Sequence, residues 1–284
     1  MFNFTTLLLR RPPQSSASHW LMIFFLTIGL AGGWKQAQAM TPRYLVQAGE
    51  PVQKNTSQNA PAELQNLFTQ IDTAASQGNV KGVMQFYSPN FTQGDGLTRP
   101  TLEQGLTSLW KRYPQLKYST QLQSWQSEGN AIIAHTVTTI TGLPSANSGN
   151  LTFNSKITSR QRIVDGKILR EDIESERTEL SSGSKPPHVE IKLPQQVKVG
   201  QSFDFDAIVK EPVGDDLILG SALQEPTQPD KYLNPTLVDL ELLTSGGLFK
   251  VGRAPATPGS QWLSAVILRR DGMTMVTQRI QVVR

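Results

Sequence analysis

The sequence contains no cysteine in its 284 residues. That excludes disulfides, thiolate metal sites, a lipobox anchor and a cysteine nucleophile. Histidine is scarce as well: His19 falls in the first stretch of the chain, His135 in its middle and His188 near a composition break, so they do not form a ligand set. Asp215, Asp216 and Asp230 match no standard calcium loop. There is also no Gly-x-Ser-x-Gly elbow, phosphate loop or dinucleotide fingerprint, so neither a metal nor a cofactor is implied.

Charge of one sign is lacking too. The formal charge is +4, but Arg10, Arg11 and Lys35 supply three of those charges within the first 39 residues, which hold no acid. Residues 61–183 carry 11 basic and 11 acidic side chains, and residues 184–284 again 11 and 11. Neither stretch has the positive field that phosphate backbones select, so nucleic acid is not an expected partner.

What the sequence does hold begins with an export signal. Residues 20–33 are almost wholly apolar and follow Arg10 and Arg11, and Ala37-Gln38-Ala39 supplies a small-x-small cleavage site before Met40. The apolar run is shorter than the roughly 20 residues of a spanning helix. Residues 1–39 therefore read as a signal peptide, with an uncleaved anchor over residues 20–34 as the alternative and the only route to the membrane. The expected compartment is the periplasm or its equivalent. Residues 40–60, rich in Gln, Asn, Ser and Pro, read as a flexible linker.

Residues 61–183 and 184–284 read as two domains, divided at the Ser181-Ser182-Gly183-Ser184-Lys185-Pro186-Pro187 stretch. In the first, Leu64, Leu67, Phe68, Ile71 and Ala75 lie on one face of a helix that opens at Pro61 and stops at Gly78. Asn79 is placed to cap a second helix carrying Val80, Val83, Met84 and Tyr87, which Pro89 ends. Thr101 and Gln104 predict the start of a third, with Leu102, Leu106, Leu109, Trp110 and Tyr113 along it. The period then changes to two, predicting strands at 117–127, 131–141, 151–164 and 167–179, joined by hairpins at Gly129-Asn130 and Asp165-Gly166. Three helices before a curved antiparallel meander must bury their apolar stripes on one face of it, an α+β cone.

That order, with Phe86-Tyr87-Ser88-Pro89-Asn90-Phe91 followed by Asp95-Gly96, resembles the nuclear transport factor 2-like superfamily over residues 61–180. The superfamily includes ketosteroid isomerases, polyketide cyclases and non-catalytic domains. The resemblance implies a pocket between helices and sheet, with Asp95 and His135 as candidate acid/base groups and Tyr87, Phe91, Trp110 and Tyr113 as candidate lining. Each has a plainer reading. Asp95 before Gly96 is also an ordinary turn residue, and a lone mid-strand histidine is commonly a hydrogen-bonded core residue. Aromatics at helical spacing are commonly core. Lys156, Arg160 and Arg162 are expected to pair across the hairpin with Glu171, Asp172, Glu174 and Glu176.

Residues 184–284 read as about seven strands: 189–193, 202–209, 216–221, 237–243, 248–253, 262–270 and 273–283, with a hairpin at Asp271-Gly272. The run Pro258-Gly259-Ser260-Gln261-Trp262 into an alternating strand resembles the closing hairpin of cysteine-free bacterial immunoglobulin-like domains, which implies an all-β sandwich. The whole is expected to be a non-catalytic binding or scaffolding protein of the cell envelope, acting through protein contacts and with a homodimer among its expected assemblies. The alternatives are an isomerase- or cyclase-type enzyme and a receptor for a small hydrophobic ligand.

Overall fold

The computed structural model describes residues 55–56, 59–145, 150–212, 214, 216–234 and 236–284. The signal-peptide reading and most of the linker reading lie outside the described residues. No helix among the described residues is long and apolar enough to cross a membrane.

A two-residue strand β1 (Asn55–Thr56) precedes helix α1 (Ala62–Ser76), which buries Leu64, Leu67, Phe68, Ala74 and Ala75. Gly78, at φ +67°, reverses the chain. The Asn79 side chain then accepts a hydrogen bond from the Gly82 backbone N–H at 2.9 Å and starts α2 (Val80–Met84). The second helix ends sooner than its apolar pattern predicts. Tyr87–Gln93 is strand β2, with Phe91 and Gln93 buried and Thr92 exposed. Pro89 explains the change, since it cannot donate within a helix but is tolerated in a strand at a sheet margin. Helix α3 (Arg99–Arg112) begins before Thr101: the Thr98 backbone N–H donates to Thr101 Oγ1 at 2.7 Å, so Thr98 is the cap.

The meander follows the predicted order: β3 (Leu116–Glu128), β4 (Ala131–Gly142), β5 (Thr152–Val164) and β6 (Lys167–Gly183). Gly129 (φ +62°), Asp165 (φ +50°) and Gly166 (φ +69°) occupy the left-handed region in its two tight turns. Register shifts between Leu122 and Ser124 on β3, and at Thr158/Ser159 and Arg162/Ile163 on β5, bend the sheet around the helices.

The remainder comprises β7 (Val189–Lys192), β8 (Gln196–Lys198), β9 (Ser202–Val209), β10 (Leu219–Pro226), α4 (Pro229–Leu233), β11 (Glu241–Leu242), β12 (Gly247–Arg253), β13 (Gly259–Arg269) and β14 (Gly272–Val283). The strand expected over 216–221 forms later, as β10, and that over 237–243 survives only as β11. Helix α4 has no counterpart in the strand pattern. The turn between β13 and β14 is Arg270-Asp271, because Gly272 already pairs with Arg269.

The order β12-β9-β7 forms one sheet, packed face to face on part of a larger one. Val189, Phe203, Phe205, Leu263, Ile267 and Ile280 share the core between them. The larger sheet runs β1-β3-β4-β5-β6-β14-β13-β10-β11 and so passes through both parts of the chain. Ser181, Ser182 and Gly183, read as a composition break, are the end of β6 and pair with β14. Gly183 (φ +95°) sits opposite Gly272, and a Cβ on Gly183 would lie 2.3 Å from the Asp271 carbonyl oxygen. Only glycine permits that approach. The described residues accordingly belong to one compact unit.

Candidate functional site: the cone cavity

Helices α1 and α3 do not fill the concave face of the sheet. A cavity of about 400 Å³ remains. Leu102, Leu106 and Leu109 on α3 are only half-buried, because their apolar faces look into this space. Opposite them, Phe153, Ser155, Ile157, Ser159 and Gln161 project inward from β5 at period two.

Sheet register assembles a polar row at one place on this wall. Gln93 on β2 pairs with Glu171 on β6, and Glu171 pairs with Gln161 on β5. Gln161 Nε2 donates to Glu171 Oε1 at 3.0 Å. Gln93 Oε1 and Gln161 Oε1 are buried and meet no donor among the described residues. Burial pushes the Glu171 carboxyl above its ordinary value against the hydrogen bonds from Gln161 and Ser159, and the charges of Asp172 and Asp95 push the same way. Burial also raises the Tyr87 phenol well above its ordinary value, helped by the charge of Glu171, so Tyr87 remains a hydrogen-bond donor.

A second acid, Asp72 on α1, reaches the same cavity. It accepts from the Thr120 backbone N–H at 2.6 Å and from Thr120 Oγ1 at 2.7 Å. Burial raises its carboxyl despite those bonds. Nearby, Trp110 Nε1 donates to the Tyr118 hydroxyl at 2.9 Å, and burial lifts the Tyr118 phenol to about 12.

Residues after 184 complete the wall: Lys231 and Tyr232 of α4 and Trp262 of β13 all line the cavity. A buried network anchors them. Arg279 donates from Nη1 to Asp95 Oδ1 at 2.9 Å and from Nη2 to Asp95 Oδ2 at 2.8 Å. It also donates to Glu176 Oε2 at 3.0 Å, and Trp262 Nε1 donates to that same oxygen at 2.9 Å. The Tyr232 hydroxyl donates to Asp95 Oδ2 at 2.5 Å, and its ring stands edge-on to Trp262 at 4.7 Å between centroids. Burial alone would raise the Asp95 carboxyl, but Arg279, Tyr232 and Thr227 outweigh it and hold it below its ordinary value.

The residues singled out from sequence divide accordingly. Tyr87 and Trp110 line the cavity. Phe91 packs edge-on against Tyr87 at 4.9 Å in the core, and Tyr113 packs against Phe153 at 5.1 Å; neither lines the cavity. Asp95 and His135, which the resemblance puts inside the cone, are outside its lining. Asp95 is committed to Arg279. His135 lies on the face of β4 opposite to Thr136 and Ala134, with Nδ1 3.3 Å from a Glu174 oxygen. The cross-strand reading of the charges holds for Arg160 with Asp172, at 3.8 Å. Arg162 pairs instead with Glu128 at 2.6 Å, while Glu171 and Glu176 turn inward.

Glu171 escaped the sequence reading because of a bulge. Counting back from the Asp165-Gly166 turn sets Glu171 opposite Arg160 on the outer face. The register shift between Arg162 and Ile163 adds one residue to β6 and moves Glu171 opposite Gln161, on the inner face. The available signal was Gln161, which shares the parity of Ile157 and Ile163.

Comparison with known proteins adds a family match for the second part. Residues 184–283 match the family described as Domain of unknown function (DUF8623). No curated protein matches the chain. Among solved structures, the chain is similar to a function-unknown protein from Mycobacterium tuberculosis (13% identity, 39% of this chain and 72% of that one, TM-score 0.32). It is also similar to a cystatin-fold protein from Novosphingobium aromaticivorans (13%, 40% and 98%, TM-score 0.31). A nuclear transport factor 2-like protein from Cytophaga hutchinsonii is a further neighbour (13%, 40% and 91%, TM-score 0.25).

Proposed function

We propose that this chain is an exported binding protein of the cell envelope that holds a small, largely apolar molecule in its cone cavity, closed by an immunoglobulin-like second domain. The observation that carries this reading is a cavity of about 400 Å³ whose wall is completed by Tyr232 and Trp262, from the part of the chain after residue 184. The volume is within the usual range of small-molecule pockets. Export rests on the leader sequence, and the immunoglobulin-like assignment rests on two facing sheets with a shared core. The scaffolding alternative draws support from the exposed Phe249 and Val251 on edge strand β12, but the cavity carries the receptor reading further.

The test uses Nile red, a neutral apolar fluorophore, on the protein without its leader. The expected result is saturable enhancement that Gly105→Leu abolishes. Gly105 is on α3 at the cavity wall, and a Cβ there meets no atom within 4 Å, so the larger side chain grows into the open space. Enhancement unchanged by Gly105→Leu, with the variant folded by circular dichroism, would overturn the reading.

A second reading, an isomerase- or cyclase-type enzyme, is favoured by one observation: Glu171 is a carboxyl raised by burial beside the donor Tyr87. In that reading Glu171 takes the acid/base role that Asp95 and His135 do not occupy. Turnover of a carbonyl substrate that Glu171→Gln abolishes would decide for it.

A further inference from the structure

We infer that the cone cavity selects an apolar molecule bearing a protonated amine, with the ammonium group seated among Glu171, Gln93 and Gln161. This rests on the cone being a ligand pocket, and it goes further by assigning the chemical class of the guest.

Charge comes first. Among the described residues, three carboxyl side chains line the cavity: Asp72, Glu171 and Glu176. Glu176 shares Arg279 with Asp95. Asp72 and Glu171 are bonded, among the described residues, by neutral groups, namely Thr120 for the first and Gln161 and Ser159 for the second. Among the described residues, the lining contributes one cation, Lys231, whose Nζ lies 3.3 Å from Glu225. A carboxylate or phosphate guest would bring a negative charge to a wall holding two carboxyls that no cation meets, whereas a cation gives them the partner they lack.

Hydrogen-bonding capacity agrees. Gln93 and Gln161 are 8% and 6% exposed, and both line the cavity. Each has a carbonyl oxygen with no donor among the described residues. Gln161 directs an amide N–H at Glu171, and its carbonyl oxygen is left as a buried, unmet acceptor. The terminal torsion of a glutamine is soft, and a small rotation presents that oxygen to a guest. The row thus supplies two amide oxygens and a carboxylate at one register position. An alkylammonium supplies three N–H donors and one positive charge. An alcohol supplies one donor and leaves the other acceptors unmet. The aromatic rings of Tyr87, Trp110 and Tyr118 in the same lining suit an organic cation as well.

The experiment compares octylamine, octanol and octanoate as probes at pH 8, where an alkylamine keeps its proton. Affinity is read by titration calorimetry on the wild-type protein and on Glu171→Gln and Asp72→Asn. The expected result is octylamine binding at least tenfold more tightly than octanol, the step of one charge-assisted hydrogen bond, with octanoate weakest. Glu171→Gln should bring the amine-to-alcohol ratio close to one, and Asp72→Asn should reduce it less. Octanol or octanoate binding as tightly as octylamine would overturn the amine assignment while leaving the pocket in place. No binding of any of the three would overturn the amine assignment and the pocket reading together.

Discussion

Arg279 and Asp95, 184 residues apart in sequence, meet in a two-pronged ion pair with N–O distances of 2.9 and 2.8 Å. Their side chains are 1% and 7% exposed. The pair ties the loop after β2 to the closing strand of the chain, next to the helix that completes the cavity wall.

Removing one member of such a pair leaves a buried charge uncompensated. Arg279→Met, which strands both Asp95 and Glu176, is expected to cost about 3–5 kcal/mol, and Asp95→Asn less, because Arg279 keeps Glu176 at 3.0 Å. The double variant should cost less than the sum, because Asp95 is then no longer a stranded charge. Urea unfolding of the three variants measures the coupling. Additive losses would show that the two side chains do not depend on each other.

The join between β6 and β14 rests on two glycines facing each other. Gly183→Ala forces a Cβ to within 2.3 Å of the Asp271 carbonyl at a φ of +95°. A loss of more than about 2 kcal/mol is expected, the range of large effects from backbone strain. Gly129→Ala, in a turn where a Cβ meets nothing within 4 Å, is a control for the left-handed conformation alone and should cost less. Thermal denaturation separates the two.

Gly105 makes the opposite case. It sits within α3 facing open cavity, so Gly105→Ala should stabilise the protein by up to about 1 kcal/mol through helix propensity. A rise in the denaturation midpoint without a change in its steepness would agree. A destabilised variant would mean that the space beside Gly105 is not open.

Stability should also respond to pH through Glu171. Its folded carboxyl is raised by burial above the ordinary 4.5, so between that value and the raised one the native state holds a proton that the unfolded chain has released. Stability therefore falls as pH rises through this window. Asp95 acts in the opposite sense: its lowered carboxyl contributes stability above the ordinary 3.8 that is lost as pH falls through the folded value. Glu171→Gln removes only the first effect. The variant is expected to melt above the wild type at pH 8, with the gap narrowing towards pH 4.5. An equal gap at both values would show that Glu171 keeps an ordinary titration.

Much of this was legible along the chain. Gly78, Asn79, Gly129 and the Asp165-Gly166 pair mark where backbone must reverse or cap, and those are local demands that a few neighbouring residues settle by themselves. The apolar period of α1 and the alternation along β5 likewise follow from which side chains avoid water. The capping of α3 was misplaced because Thr98 and Thr101 are both able to cap, and the choice depends on how the preceding strand arrives. Tertiary structure alone decided that Tyr87–Gln93 extends along β6, that α4 reaches over the cone, and that Asp95 is taken by a partner from the last strand. It also decided the site. One extra residue in β6 turned Glu171 from the outer face to the inner one, and a bulge is selected by how a sheet must curve around its helices rather than by any residue pattern within the strand.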